Sequence, residues 1–451
     1  MIGFAGWMPG VGTVAGPSRG KVQCSASRED VVIVGAGVSG LAAAKLISEG
    51  RSDLSMTILE KSDDVGGRIR SDVVDGYILD RGFQVFIEGY PQQGELLDYE
   101  QLDLKPFLPG ALVYCEGAHH LVSDPLRRIQ DTPESLVSPV GTFMDKARVA
   151  LLRTKIANLP LDSILQRDEY TTAEYLRREG FTSSMIDRFF TPFYQGIFLA
   201  PLEEQSSRMF EYVFRMFLSA PASLPSKGIG AVTQHVAGPL RDKIQLNTGV
   251  KSISMNESGG GTVETEDGQR IEAKVIVVAA DPPAASALFG DRIESSKPRG
   301  CANLYFSSDQ PPPISKPILF LNGEGRSAGV VGNTCFPSSV SANYAPVGKT
   351  LVSTTVIGDD VHRSDAELER LVKSHMSEWW GSDYVNQWTH LRTYKIPYSQ
   401  PAQNVPFSAS KGVEVGRGVF VCGDHRSTPT VNGAISSGIQ VAKDTLKYLS
   451  D

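Results

Sequence analysis

Apolar residues run unbroken in some stretches of this chain and alternate with polar ones in others. Val31-Val-Ile-Val34 sets four β-branched residues in a row, which predicts a strand buried on both faces. Gly35-Ala-Gly37-Val-Ser-Gly40 then turns the chain, and an alanine-rich helix follows from Leu41. Met56-Thr-Ile-Leu-Glu60 and the run over 273–280 repeat the buried-strand pattern, the latter ending in a Pro-containing turn. Residues 418–422 form a last apolar strand that delivers Gly423 and Asp424 to a loop, with a helix starting near Gly433. The intervening stretches read differently. Residues 76–86 alternate around two turn glycines and predict strand, turn, strand. Helical periodicity marks 144–153 and 172–180, the second with Gly180 as a C-cap. A dense aromatic patch over 189–198 precedes a helix over 208–218. Phe210, Val213, Phe214, Phe217 and Leu218 share one face of that helix, and Met209, Tyr212 and Met216 cover much of the rest. A helix so nearly apolar all round is buried, lines an apolar cavity or dips into a membrane surface. Runs at 302–306, 318–321 and 350–357 predict an antiparallel sheet. Residues 364–380 predict a helix with Ser364 as N-cap and Glu367 completing a capping box.

The first strand, turn and helix carry chemistry. Gly35 permits the tight turn, Gly37 lets the backbone approach a pyrophosphate, and Gly40 lets the helix lie close on the strand. The helix N-terminus adds unpaired N–H groups and a positive dipole end. Glu60 follows Gly40 by about 20 positions, where a carboxylate holds a ribose hydroxyl pair. A purely structural glycine turn leaves Glu60 unexplained, so a dinucleotide site is the reading. Further on, Gly66-Gly67-Arg68 offers a second backbone approach to phosphate and a fixed cation, against the plainer alternative of a surface turn with solvated arginines.

Composition narrows the class. The 451 residues suffice for two or three domain-sized units, and a net charge of -7 argues against non-specific nucleic-acid binding. Five scattered cysteines without metal-ligand spacing read as reduced thiols, and the seven histidines form no ligand pattern, with His119-His120 expected in a solvated loop. No metal site is expected. No run approaches the ~20 apolar residues of a transmembrane helix. Residues 1–28 contain no acidic side chain and several Ser, Arg and Gly residues, which resembles a plastid transit peptide, with a plain disordered tail as the alternative. A chloroplast location follows as an expectation.

The series GAGVSGL, EK, DVGGRIRS and GYILDRGFQ, with the blocks at 224–233 and 418–438, resembles the flavin-dependent amine oxidase superfamily, which includes phytoene desaturases, carotenoid isomerases and protoporphyrinogen oxidases. The resemblance implies an α/β protein with a Rossmann-type FAD-binding domain (GR2-like) and an interleaved α+β substrate-binding domain. The expected division is 29–95, 226–290 and 411–451 for the first, and 96–225 and 291–410 for the second. It implies FAD contacts from Gly35, Gly37, Gly40, Glu60, Gly67, Arg68, Val250, Gly423, Asp424 and Val431. The backbone of Val250 would meet the adenine, and that of Val431 the pyrimidine edge of the flavin, where a helix N-terminus favours negative charge. Gln84, Tyr394 and Tyr398 are the candidates to face the flavin.

Two departures from the family pattern bear on the reaction. Amine oxidases of this family carry a lysine on the strand that here reads Arg299 to Tyr305, and only Lys297, just upstream, is near. No cysteine stands near Tyr398 in sequence, so FAD is expected to be non-covalent. The expected reaction is therefore hydride transfer from an apolar isoprenoid, carotenoid-like or tetrapyrrole substrate to flavin N5, with oxygen or a quinone as electron acceptor. The alternatives are an amine oxidase, a reduced-flavin isomerase or reductase, and a non-catalytic FAD-binding protein. No second GxGxxG is present for NADPH. Peripheral membrane contact, by the helix over 208–218, stays open.

Overall fold

The computed structural model describes residues 27–123, 127–293 and 297–451. Five parallel strands lie in the spatial order Ile244–Gln245, Met56–Leu59, Ser27–Val34, Arg270–Val278, Val419–Val421. Numbered along the chain this order is 3-2-1-4-5, the doubly wound arrangement in which the first strand sits centrally and ligands gather at the strands' carboxyl ends. The apolar runs are explained by it: Val31, Val32 and Ile33 are fully buried, covered on both faces of the sheet. Helices Val38–Gly50 and Val431–Tyr448 pack into the same core on one side. A hairpin of Val250–Met255 and Gly261–Thr265 extends the sheet antiparallel to the start of Arg270–Val278. The expected tail over 1–28 lies outside the described residues as far as 26. Ser27 and Arg28 belong to the first strand, registered on Ile271 and Glu272, so the folded chain starts before Glu29.

A second sheet has seven strands in the order Thr389–Pro401, Pro298–Ser308, Thr350–Ile357, Val331–Cys335, Leu319–Asn322, Gly110–Cys115, Ala118–Ser123. The sheet expected from three apolar runs is therefore larger. It is also mixed, because Leu319–Asn322 pairs in parallel with Gly110–Cys115. Helix Asp365–Trp380 covers one face through Leu368, Val372, Met376 and Trp379. Ser364 caps it as expected, accepting from the Glu367 N–H at 3.3 Å, but the Glu367 carboxylate pairs with Arg363 instead of closing a capping box. His119 is not in a solvated loop. It sits in the strand Ala118–Ser123 among Tyr114, Phe320, Trp379 and Trp380, and burial lowers its pKa to about 4.

Helices Phe143–Ala157, Thr172–Arg178, Thr191–Phe198 and Ser207–Ser219 enclose an aromatic core containing Phe190, Tyr194, Phe198 and Phe210. Tyr194 and Phe210 approach to 4.6 Å between ring centroids.

Asp80 ties these parts together. Its carboxylate accepts from the Ser71 hydroxyl at 2.6 Å, the Ile229 N–H at 2.9 Å and the Tyr344 hydroxyl at 2.9 Å, while Tyr305 donates to its carbonyl at 2.9 Å. None of these partners is a cation, and Asp80 is only 3% exposed. Burial raises its pKa to about 6, outweighing the hydrogen bonds that pull the other way. An unfolded chain would titrate the same carboxyl near ~3.9. The native state thus binds this proton more tightly, and stability from this group is greatest below about pH 4 and is lost as pH rises through about 6. The difference in urea-unfolding free energy between Asp80→Asn and wild type should grow in the variant's favour by about 2–3 kcal/mol from about pH 4 to about pH 6.5. A difference that stays flat over this window contradicts the assignment.

Candidate active site

The carboxyl ends of the parallel strands open into a cavity of about 1420 Å³, above the ~300–1,000 Å³ usual for one small molecule. Its wall includes Gly35, Gly37, Glu60, Gly67, Arg68, Val250, Gly423, Asp424 and Val431. Gly40 stands behind it. A Cβ there would lie 2.2 Å from the Gly35 carbonyl oxygen, so the helix can approach the turn only because the side chain is missing. Gly35 itself has φ +104°, which favours glycine. Gly37 differs from both, since a Cβ there would meet no atom within 4 Å and would project into the open cavity.

Glu60 is held rigidly at the strand end: one oxygen accepts from the Ala36 N–H at 2.7 Å and the other from the Ser62 N–H at 2.9 Å. The loop carrying Gly66 and Gly67 lies against the first turn, with Gly37 bridging Gly66 and the Gly66 N–H donating to the Ala36 carbonyl at 2.9 Å. Arg68 then forms a bidentate pair with Asp424 at 2.7 and 2.8 Å and donates to the Ser399 carbonyl at 2.8 Å. Gln84 turns its amide away from any ligand role as a donor, giving it to the carbonyls of Arg68 and Arg81 at 2.9 and 3.1 Å. It supports Arg68 from behind while still bordering the cavity. The helix Val431–Tyr448 starts at the wall, capped by Thr430, whose hydroxyl accepts from the Gly433 N–H at 2.9 Å. Neither this helix nor Val38–Gly50 has an acidic residue in its first turn, so both positive dipole ends remain available to an anion.

These residues fit FAD. Gly37 leaves open space where a pyrophosphate would lie, two helix N-termini face the wall, and Glu60 would supply the acceptor for ribose hydroxyls. Val250, Gly249 and Glu266 would border the adenine end, and Val431 and Thr430 the opposite end. Bound there, FAD supplies a two-electron acceptor. Among the described residues no group of His, Cys, Asp or Glu is placed to hold a metal ion.

Tyr394 and Tyr398 are corrected by the structure, since neither borders the cavity. Tyr394 donates to Asp72 at 2.6 Å with its ring edge-on to Tyr305, and Tyr398 lies buried with the Arg68 guanidinium 5.8 Å from its ring. Their strand pairs Arg299 with Gln400 but Cys301 with Ile396, so residues 397–399 bulge and Ile396, Ser399 and Gln400 face the cavity instead. Cys301, remote in sequence, lies 3.4 Å from the Ser399 hydroxyl at the same wall, and burial raises its thiol pKa. The expectation that no cysteine stands near Tyr398 therefore holds in sequence and fails in space. The second sheet adds Asn333 and Thr355, which nothing local distinguishes from the neighbouring polar residues of their strands, such as Thr334 and Thr354. The Oδ1 of Asn333 is buried without a protein partner. Helix Ser207–Ser219 sends Val213, Phe214, Phe217 and Leu218 to the cavity, which settles it as a lining element.

Gly37→Val should purify folded and colourless, because the new side chain fills only cavity space; a variant as yellow as wild type contradicts the cofactor position. Asp424→Asn, which leaves a one-third-exposed Arg68 without its charge partner, should cost about 1–2 kcal/mol in urea unfolding of the apoprotein, and a cost near zero contradicts the role given to the pair. Acid precipitation should leave all flavin in the supernatant, whereas flavin in the pellet would show a covalent bond.

Comparison with known proteins agrees with this geometry. The sequence model of the family described as flavin containing amine oxidoreductase matches residues 38–446. Coproporphyrinogen III oxidase of Bacillus subtilis (strain 168) is 22% identical over 94% of this chain and 99% of its own. Polyamine oxidase 4 of Oryza sativa subsp. japonica is also 22% identical, over 95% of this chain and 90% of its own. Among solved structures, an oxidoreductase from Methanosarcina mazei shares the fold with a TM-score of 0.72 at 15% identity, covering 92% of this chain and 99% of that one. The chain belongs to the flavin-containing amine oxidoreductase family and is an FAD-dependent oxidoreductase.

Proposed function

We propose that the chain dehydrogenates an apolar substrate, neutral or anionic, of the tetrapyrrole or isoprenoid class. The observation that carries this reading is the sign of the charges around the cavity. Among the described residues its four carboxylates, Glu60, Glu266, Asp281 and Asp424, all come from the elements of the cofactor sheet. The substrate side is walled by aromatic and aliphatic residues such as Phe189, Phe193, Phe214 and Phe217, and its charged members are the cations Arg127, Lys146 and Arg153. An ammonium substrate would find no counter-charge there among the described residues, while an apolar ring system fits the aromatic walls and carboxylates at its edge would meet the cations. That combination favours a tetrapyrrole over a pure hydrocarbon. The two near-full-length relatives, a porphyrinogen oxidase and a polyamine oxidase at equal identity, leave this choice to the cavity.

Bound FAD would supply the two-electron acceptor for a dehydrogenation in which one substrate C–H bond gives up its hydride, a neighbouring C–H or N–H bond gives a proton to solvent and a new double bond forms between the two atoms, with oxygen or a quinone as the final oxidant. Burial raises the pKa of Tyr90, Tyr194 and Cys301, so each stays protonated at neutral pH and none serves as a base. Lys297, the residue nearest to the family lysine in sequence, is exposed and does not border the cavity. Asn333, with an unpaired buried oxygen, is placed to orient a polar edge of the substrate. The composition of residues 1–28 supports a plastid setting for this reaction.

Anaerobic mixing of the FAD-loaded protein with a porphyrinogen, a carotenoid-type polyene and a diamine tests the proposal. Rapid bleaching of the flavin by the porphyrinogen, slower or absent with the polyene and absent with the diamine, is expected. Bleaching by the diamine alone would establish the amine oxidase alternative.

A further inference from the structure

Of the eight large apolar side chains exposed among the described residues, five lie within 136–151: Leu136, Val137, Phe143, Met144 and Leu151. Helix Phe143–Ala157 gives this clustering a geometry. At about 100° per residue, Asp145, Leu152 and Ile156 form one face, and all three are buried against the protein. Phe143, Ala150 and Leu151 lie on the opposite face and are exposed, Phe143 at 67% and Leu151 at 70%. Lys146 and Arg153 run along one edge of that apolar stripe and Arg148 and Lys155 along the other, each pair two helical turns apart. Residues 127–157 hold six Lys or Arg against three Asp or Glu in a chain whose net charge is -7, and one of those three acids, Asp145, is buried in the cap of the helix.

An exposed apolar stripe with cations on both flanks is the pattern of a helix lying in a lipid interface, its side chains among acyl groups and its Lys and Arg heads among phosphates. The position of the stripe adds function. Phe143, Lys146, Ala147, Ala150 and Arg153 also border the large cavity, so the patch is the rim through which a ligand would pass. Among the described residues no helix is long and apolar enough to cross a membrane, which leaves contact from one side. We propose that this surface docks the protein on an anionic lipid membrane, with Phe143, Met144 and Leu151 inserted and the cavity opening onto the lipid. A second copy of the chain is the poorer occupant, because face-to-face pairing would set one cationic flank against another. The proposal rests on where the cavity opens and is independent of which substrate the cavity takes.

Flotation of the FAD-loaded full chain with vesicles tests it without any substrate. The protein should float with phosphatidylcholine vesicles containing phosphatidylglycerol, weakly with phosphatidylcholine alone, and binding should fall steeply with added salt. Met144→Ser/Leu151→Ser, at exposed positions outside the cavity wall, should keep its flavin content and thermal midpoint while partitioning at least ~10-fold less. Arg148→Gln/Lys155→Gln should lose the preference for the anionic lipid. Wild-type protein that stays unbound, or a double serine variant that floats as wild type does, overturns the proposal. A dimer in sedimentation velocity that the serine substitutions dissolve, with no vesicle binding, would assign the surface to a second copy and overturn it equally.

Discussion

One contact with no room for a side chain underlies the cofactor end of this protein. A Cβ at Gly40 would lie 2.2 Å from the Gly35 carbonyl oxygen and 2.9 Å from the Ala279 side chain. Because both are satisfied by hydrogen alone, the first helix can start directly over the end of the central strand. Its N-terminus then points along the row where five parallel strands stop. Glu60 and the Gly66-Gly67 turn are positioned against that same helix start by backbone hydrogen bonds, so the site inherits its geometry from packing in the sheet.

Arg68 extends that geometry to the rest of the chain. It reaches Asp424 after the last parallel strand and the Ser399 carbonyl at the edge of the second sheet, while Gln84 fixes its own carbonyl. A planar guanidinium with several donors suits this junction better than a lysine would, since three contacts from two elements are met at once. The division of charge around the cavity follows from the same arrangement: carboxylates accompany the cofactor sheet, and among the described residues the charged members of the helical wall are cations.

The sequence made the cofactor half legible because its requirements are local. Gly35, Gly37, Gly40, Glu60 and Arg68 each answer a need of backbone or charge within a short span, and the apolar runs mark strands covered on both sides. The substrate half was less legible because its wall is assembled across the fold. Tyr394 and Tyr398 occupy a strand whose bulge at 397–399 changes which residues face the cavity, and no alternation in sequence announces it. Cys301 and Ser399 meet although they are far apart in the chain. Helix Phe143–Ala157 was recognisable as a helix, yet only its tertiary neighbours decide that Asp145, Leu152 and Ile156 face inward and the larger apolar residues outward.

The sign of charge on the substrate side is the claim on which the functional reading turns. Difference spectra of the bound flavin, recorded while the protein is titrated with an unreactive porphyrin carboxylate and separately with a long-chain diamine, read that sign directly. A saturable shift with the porphyrin that weakens as salt is added, and none with the diamine, is the predicted result. A saturable shift with the diamine and none with the porphyrin would contradict the account.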